Sequence, residues 1–340
     1  MLCPNCGFDS SRDYGKYPTF GAVGKAPTVS ALGEQWRENP TPPKKKKPWL
    51  AIAVCAAIFA LGIWIGTGIN KPEPTEPELT SILRSDEIAD DYDGTYEEYP
   101  VFGSAYQRGD IASVTFLDTM SDMPANAWDV SEDGNGKVMA WVKPNESLYD
   151  LYIGAEGGVW GGESCKELFA GYKNAERIVF ADVFHTENVQ DMSFLFLQCH
   201  DLTSLELSEF DTSNVQIMSY MFTECEKLST LDLSSFDTAN VESMLAMFLG
   251  CSSLSDLKVS RFDTSKVRSM YGMFAYCETL STLDLSSFDT SNVTKMSDMF
   301  NGCMKLDNLI LSDHFVTDNA ITEGMFSLCP SEDKWGYLEH

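Results

Sequence analysis

The sequence predicts an α/β repeat protein: a solenoid of 26-residue coils, each one short strand plus one short helix, preceded by a small β-rich domain and a transmembrane helix. Three observations carry that expectation. Cysteine recurs at 199, 225, 251, 277, 303 and 329, an unbroken interval of 26 residues. Inside each interval the apolar spacing switches from two residues to three and four. Far upstream, residues 49–69 are free of charge and follow four consecutive lysines.

Each element of a coil is legible in the unit that starts at Cys225. Its apolar and signature positions are Leu228, Leu231, Leu233, Phe236, Asp237, Thr238, Val241, Met244, Met247 and Phe248. Leu231 and Leu233 alternate with polar neighbours, the two-residue period of a strand with one buried face. Val241, Met244, Phe248 and Cys251 are spaced 3, 4 and 3, which places them on one face of a helix. The Thr-Ser pair before the valine in most coils suits a helix cap. The apolar surface of one coil is too small to offset the ordering of 26 backbones, so coils must stack and share a core. No proline occurs between Asn145 and Cys329, as expected where strand amides pair between coils. Phe169 and Tyr172 hold the same slots in a divergent first unit, one residue longer. The pattern decays near the end, with His314 in the Phe slot, Asn319 in the Val slot and Thr322 in a Met slot. Glu332, Trp335 and Tyr337 then form a charged, aromatic half-unit that reads as a closing cap over 330–340.

The repeat C-x2-L-x2-L-x-L-x2-F-D-T-S-N-V-x2-M-x2-M-F-x2-C resembles the BspA-type leucine-rich repeats of bacterial surface proteins. The resemblance covers residues 166–329, and "VSEDGNGKVMAWVKPNESLYDLYIGAEGG" resembles the domain that often leads into such repeats. It implies a leucine-rich-repeat solenoid on a cell-surface protein, with adhesion to a host-matrix or other extracellular protein as one family role. No binding residue transfers, because the motif consists of core positions.

Charge divides the chain. Residues 1–48 carry 8 basic and 4 acidic side chains; the other 16 basic and 47 acidic ones all lie after residue 70. So acidic a body repels nucleic acid, which excludes that partner class. The lysine run before 49–69 predicts a single-pass membrane protein, N-terminus cytoplasmic and C-terminal part extracellular. Residues 9–48, rich in Pro, Gly and Lys, read as a disordered basic segment, and 70–100 as an acidic, proline-punctuated linker. Residues 101–165 read as a small β-rich lead-in domain, with "EDGNGK" as a hairpin signal. Cys3 and Cys6, within residues 1–8, make one CxxC knuckle and resemble half a zinc ribbon. A closed zinc site needs four ligands, and residues 7–48 hold no further Cys or His, so zinc there is an incomplete site.

Chemistry beyond that is sparse. The four histidines, His185, His200, His314 and His340, have no nucleophile or carboxylate at a recognisable spacing, so no enzyme is predicted. The repeated cysteines read as small buried hydrophobes in preference to disulfides. Asp211, Asp237, Asp263 and Asp289 stack at one turn, either as helix-start charges or as a calcium ladder. Arg108-Gly109-Asp110 is the tripeptide integrins recognise, and an exposed turn is its plain structural reading. The exposed strand positions form a polar, mostly acidic sheet face, on which Glu206, Asp232, Lys258 and Asp284 are the candidate binding residues for a protein partner. The alternative function is a transmembrane sensor whose Cys3/Cys6 pair reports metal or redox state.

Overall fold

The computed structural model describes residues 81–88, 95–330 and 338 of the chain. Twelve strands are present among them: β1 (Ile82–Leu83), β2 (Ile111–Leu117), β3 (Trp128–Asp129), β4 (Met139–Asn145), β5 (Leu148–Gly154), β6 (Val159–Gly161), β7 (Arg177–Val179), β8 (Phe184–His185), β9 (Thr230–Asp232), β10 (Asp256–Lys258), β11 (Thr282–Leu285) and β12 (Asn308–Leu311). The "EDGNGK" signal is met by the antiparallel pair β3–β4, with Trp128 opposite Ala140. β4 returns through a tight turn into β5, Asn145 facing Leu148. The lead-in strands and the repeats share one sheet, in the order β3-β4-β5-β2-β7, where β7 is the strand of the first full coil. A bridge from Arg177 to Ser204 carries the parallel pairing into the next coil. β1, in the stretch expected to be spacer, pairs in parallel with β6, which pairs with β8. One hydrophobic core runs without a break from Leu83 to Leu338.

The fold class differs from the expected one in its second half-coil. The protein is β-rich, and among the described residues there is no α-helix; the short helical turns at Tyr96–Glu98, Val101–Gly103 and Arg108–Asp110 are 3-10. The 3-4-3 spacing belongs instead to consecutive tight turns. In the coil after Cys199 the amides of Met218, Tyr220, Phe222 and Glu224 donate to Ser243, Leu245, Met247 and Leu249 of the next coil. The intervening amides close turns within the coil: Met221 to Met218, Thr223 to Tyr220 and Cys225 to Phe222. An α-helix would spend every amide inside its own coil; alternation releases half of them to join neighbours. The first and third of these turns have their third residue at positive φ, as a type II turn requires: Tyr220 (59°) and Glu224 (59°) in this coil, Ala246 (52°) and Gly250 (75°) in the next. Glycine at Gly250, and at Gly272 one coil on, is the residue that adopts this conformation without strain. Those glycines, set inside a supposed helix, were the sequence signal for turns.

The signature Phe-Asp-Thr-Ser-Asn is a set of hooks, not a helix cap. Asp263 turns back on itself, its Oδ1 accepting the Ser265 amide at 3.0 Å. The Thr264 hydroxyl, fully buried, donates to the Asp289 carbonyl at 2.9 Å and accepts the Asp289 amide at 2.8 Å. Asn292 reaches the other way, its Nδ2 donating to the Ser265 carbonyl at 2.8 Å. Thr264→Val keeps the shape and strands two part-buried backbone groups of Asp289. A loss of about 1–3 kcal/mol in denaturant unfolding is expected, and a neutral result would remove the hook from the account.

Two end effects also need correction. His314 is not the last Phe-slot residue: Phe315 is buried there, and Val316 takes the Asp role by donating its amide to Thr290 Oγ1 at 2.7 Å. An extra residue near 313 shifts this stretch, Ala320 packs in the Val slot, and Thr322 returns to register fully buried. Of the closing cap, Leu338 joins the core, while 331–337 and 339–340 lie outside the described residues.

The single-pass membrane placement is not supported: among the described residues no helix is long and apolar enough to cross a membrane. The stretch 49–69 on which it rested lies outside the described residues, as do the basic segment 9–48 and Cys3 and Cys6.

Candidate functional site

Stacking at a 26-residue interval turns sequence positions into rows. Asp256 stands beside Thr230 and Lys258 beside Asp232 in the β9–β10 pair; Thr282 faces Asn308 and Asp284 faces Ile310 in β11–β12. The leucines between them, Leu231, Leu257, Leu283 and Leu309, point into the core, so strand alternation sends the polar partners outward. Glu206, Asp232 and Lys258 line one shallow concavity of about 400 Å³, together with Ser204, Thr230, Ser234 and Asp256. Asp284 is on the adjoining strand β11, outside that concavity. Lys258 Nζ donates to Asp256 Oδ1 at 2.5 Å, so the cation is neutralised within its own strand. The Ser234 hydroxyl and amide hold the Asp232 carboxyl below the usual carboxylate range. The Ser286 amide donates to Asp284 Oδ1 at 2.9 Å in the same arrangement. The face therefore presents carboxylates with few local cations.

Arg177 and Val179 extend this face on β7, and sequence reasoning missed them. Their coil is one residue out of the 26-residue register, and Val179 is apolar, so neither counting nor polar alternation marks them; the structure shows the exposed-buried-exposed pattern over Arg177–Val179 and the bridge from Arg177 to Ser204.

The Arg-Gly-Asp tripeptide is not an exposed turn. Arg108 is 0 % exposed; its NH1 donates to the carbonyls of Glu167 (2.8 Å) and Ala170 (2.7 Å), and its NH2 lies 3.2 Å from Asp86 Oδ2. The rings of Tyr99 and Tyr172 flank the guanidinium at 5.0 and 5.7 Å. A receptor that reads this arginine has no access to it.

A model of the family described as Mycoplasma protein of unknown function, DUF285, matches residues 163–258 and 232–334. The chain belongs to this family. The match covers the stacked coils and agrees with a BspA-type repeat protein. No curated protein and no solved structure matches the chain.

In this DUF285 chain the described cysteines belong to the core. Cys165 and the six of the ladder form no disulfide and are buried. Each ladder thiol donates to the Phe carbonyl of the coil before it, from Cys199 to Phe169 (3.2 Å) through Cys329 to Phe300 (2.9 Å). Burial pushes Cys199 and Cys251 up to about 12, so neither presents a thiolate near neutral pH. Asp211, Asp263 and Asp289 each spend Oδ1 on the amide two residues on, at 2.9–3.0 Å. Among the described residues no group of three or more His, Cys, Asp or Glu is placed to hold a metal ion.

Proposed function

We propose that this DUF285 chain is a surface repeat protein that acts by recognition, binding another protein through the outward face of its parallel strands, with adhesion to an extracellular-matrix protein as the biological use. The observation that carries this is the row of exposed, chemically varied side chains held side by side on strands whose alternate leucines are buried in the core.

The test is capture of the full chain on a panel of immobilised extracellular-matrix proteins, beside the triple variant Glu206→Lys, Asp232→Lys, Asp284→Lys. These positions lie outside the core, so the variant should fold. Retention of the native chain by at least one matrix protein, reduced about tenfold or more in the variant, is expected. Equal retention of both would remove this face from the role, and no retention of the native chain would remove adhesion.

A further inference from the structure

The outward row that follows the buried Ile178, Leu205, Leu231, Leu257, Leu283 and Leu309 reads, coil by coil, Val179, Glu206, Asp232, Lys258, Asp284 and Ile310. Its two ends are apolar and exposed, Val179 at 38 % and Ile310 at 42 %, among the few exposed large hydrophobics in the described residues. Its middle is charged, and its one cation is tied to Asp256. Parallel strands lie about 4.8 Å apart, so six positions span about 24 Å from one apolar end to the other. Nothing in the fold uses Val179 or Ile310 in this way: the core is complete beneath them, with Ile178 and Leu309 buried.

We infer that this row recognises one extended peptide segment of a partner protein, lying across the strands, with apolar side chains at its two ends seated on Val179 and Ile310 and basic side chains between them paired with Glu206, Asp232 and Asp284. The inference rests on the reading that this face binds protein, and adds what kind of segment it takes. The charges decide the sign of the partner's middle: three carboxylates remain against a lysine already neutralised. Dimensions decide its length. An extended chain advances about 3.3 Å per residue and shows every second side chain to one face, about 6.7 Å apart. Nine residues span about 26 Å, which puts the end side chains over the apolar positions. The third falls between Glu206 and Asp232, and the seventh falls beside Asp284. The fifth lies over Lys258, where a cation is disfavoured. Exposed ion pairs are individually weak, so the apolar ends set the register while the carboxylates set the polarity.

The probe is a labelled nine-residue peptide with leucine at both ends, arginine at the third and seventh positions and serine elsewhere, titrated with the full chain by fluorescence anisotropy. A peptide of the same composition with the arginines at the fourth and fifth positions has equal charge and the wrong spacing. Binding of the first peptide about fivefold or more tighter than the second is expected, along with weakening at higher salt. Val179→Ser and Ile310→Ser should each weaken the first peptide about threefold or more, and replacing both leucines by serine should make these variants indistinguishable from the native chain. Equal affinity for the two peptides, or indifference to both serine variants, overturns the inference. If matrix-protein capture is nevertheless lost in the triple lysine variant, only the peptide model fails; if capture is unmoved by that variant, the binding face itself is wrong.

Discussion

Arg108→Ala is expected to lower the unfolding free energy by about 3–5 kcal/mol, the largest effect of any substitution in the lead-in domain. Removing the guanidinium leaves Asp86 in a site where its Oδ2 otherwise meets both Arg108, at 3.2 Å, and the Phe102 amide, at 3.0 Å. It also strands the Glu167 and Ala170 carbonyls, which belong to the start of the column. Arg108→Lys should recover little, because one ammonium cannot serve three separated acceptors as a planar fork does. Denaturant unfolding followed by near-UV circular dichroism measures this. A loss below about 1 kcal/mol for the alanine variant would mean that Arg108 is solvated, and would return the Arg-Gly-Asp tripeptide to the surface.

Phe248→Ala should cost a similar amount, about 3–5 kcal/mol, for a different reason. Seven rings, Phe169, Phe196, Phe222, Phe248, Phe274, Phe300 and Phe326, stack face to face with centroids 5.1–5.7 Å apart and planes within 17°. Phe248 has a neighbour on each side, at 5.6 and 5.5 Å. Phe326 has one described ring partner, Phe300, so Phe326→Ala should cost clearly less. Because coils couple only to their neighbours, a cavity in the middle weakens the link between two halves. The central variant should unfold over a broader transition or in two steps, while the terminal variant keeps one. Equal losses at both positions, with one sharp transition each, would refute nearest-neighbour coupling through the ladder.

Much of this was legible from residue spacing. The 26-residue interval, the buried Leu, Phe, Met and Cys slots and the outward strand positions all follow from which residues repeat. The supposed helix did not survive, because Val241, Met244, Phe248 and Cys251 keep a spacing that a chain of tight turns shares with a helix. Local periodicity does not distinguish the two; the destination of each amide does. The hidden shift at Phe315 escaped for a related reason. A one-residue insertion is invisible to fixed counting, yet Thr290 bonding to Val316 reveals it at once.

Arg108 shows the opposite case. Its neighbours in sequence, Gln107 and Gly109, suggest an exposed turn, and its fate depends on Asp86, Glu167, Ala170 and Tyr172, which are 22 to 64 residues away. Order along the chain was enough to establish that coils repeat, which side chains are oily and which sheet positions stay wet, since each is a matter of composition at a fixed interval. How the second half of each coil is bonded, and whether a charged group lies in water or in the core, were settled by contacts between segments distant in sequence. A hydrogen-bonding or ionised group takes its energy from the partners around it, and those exist only once the chain has folded.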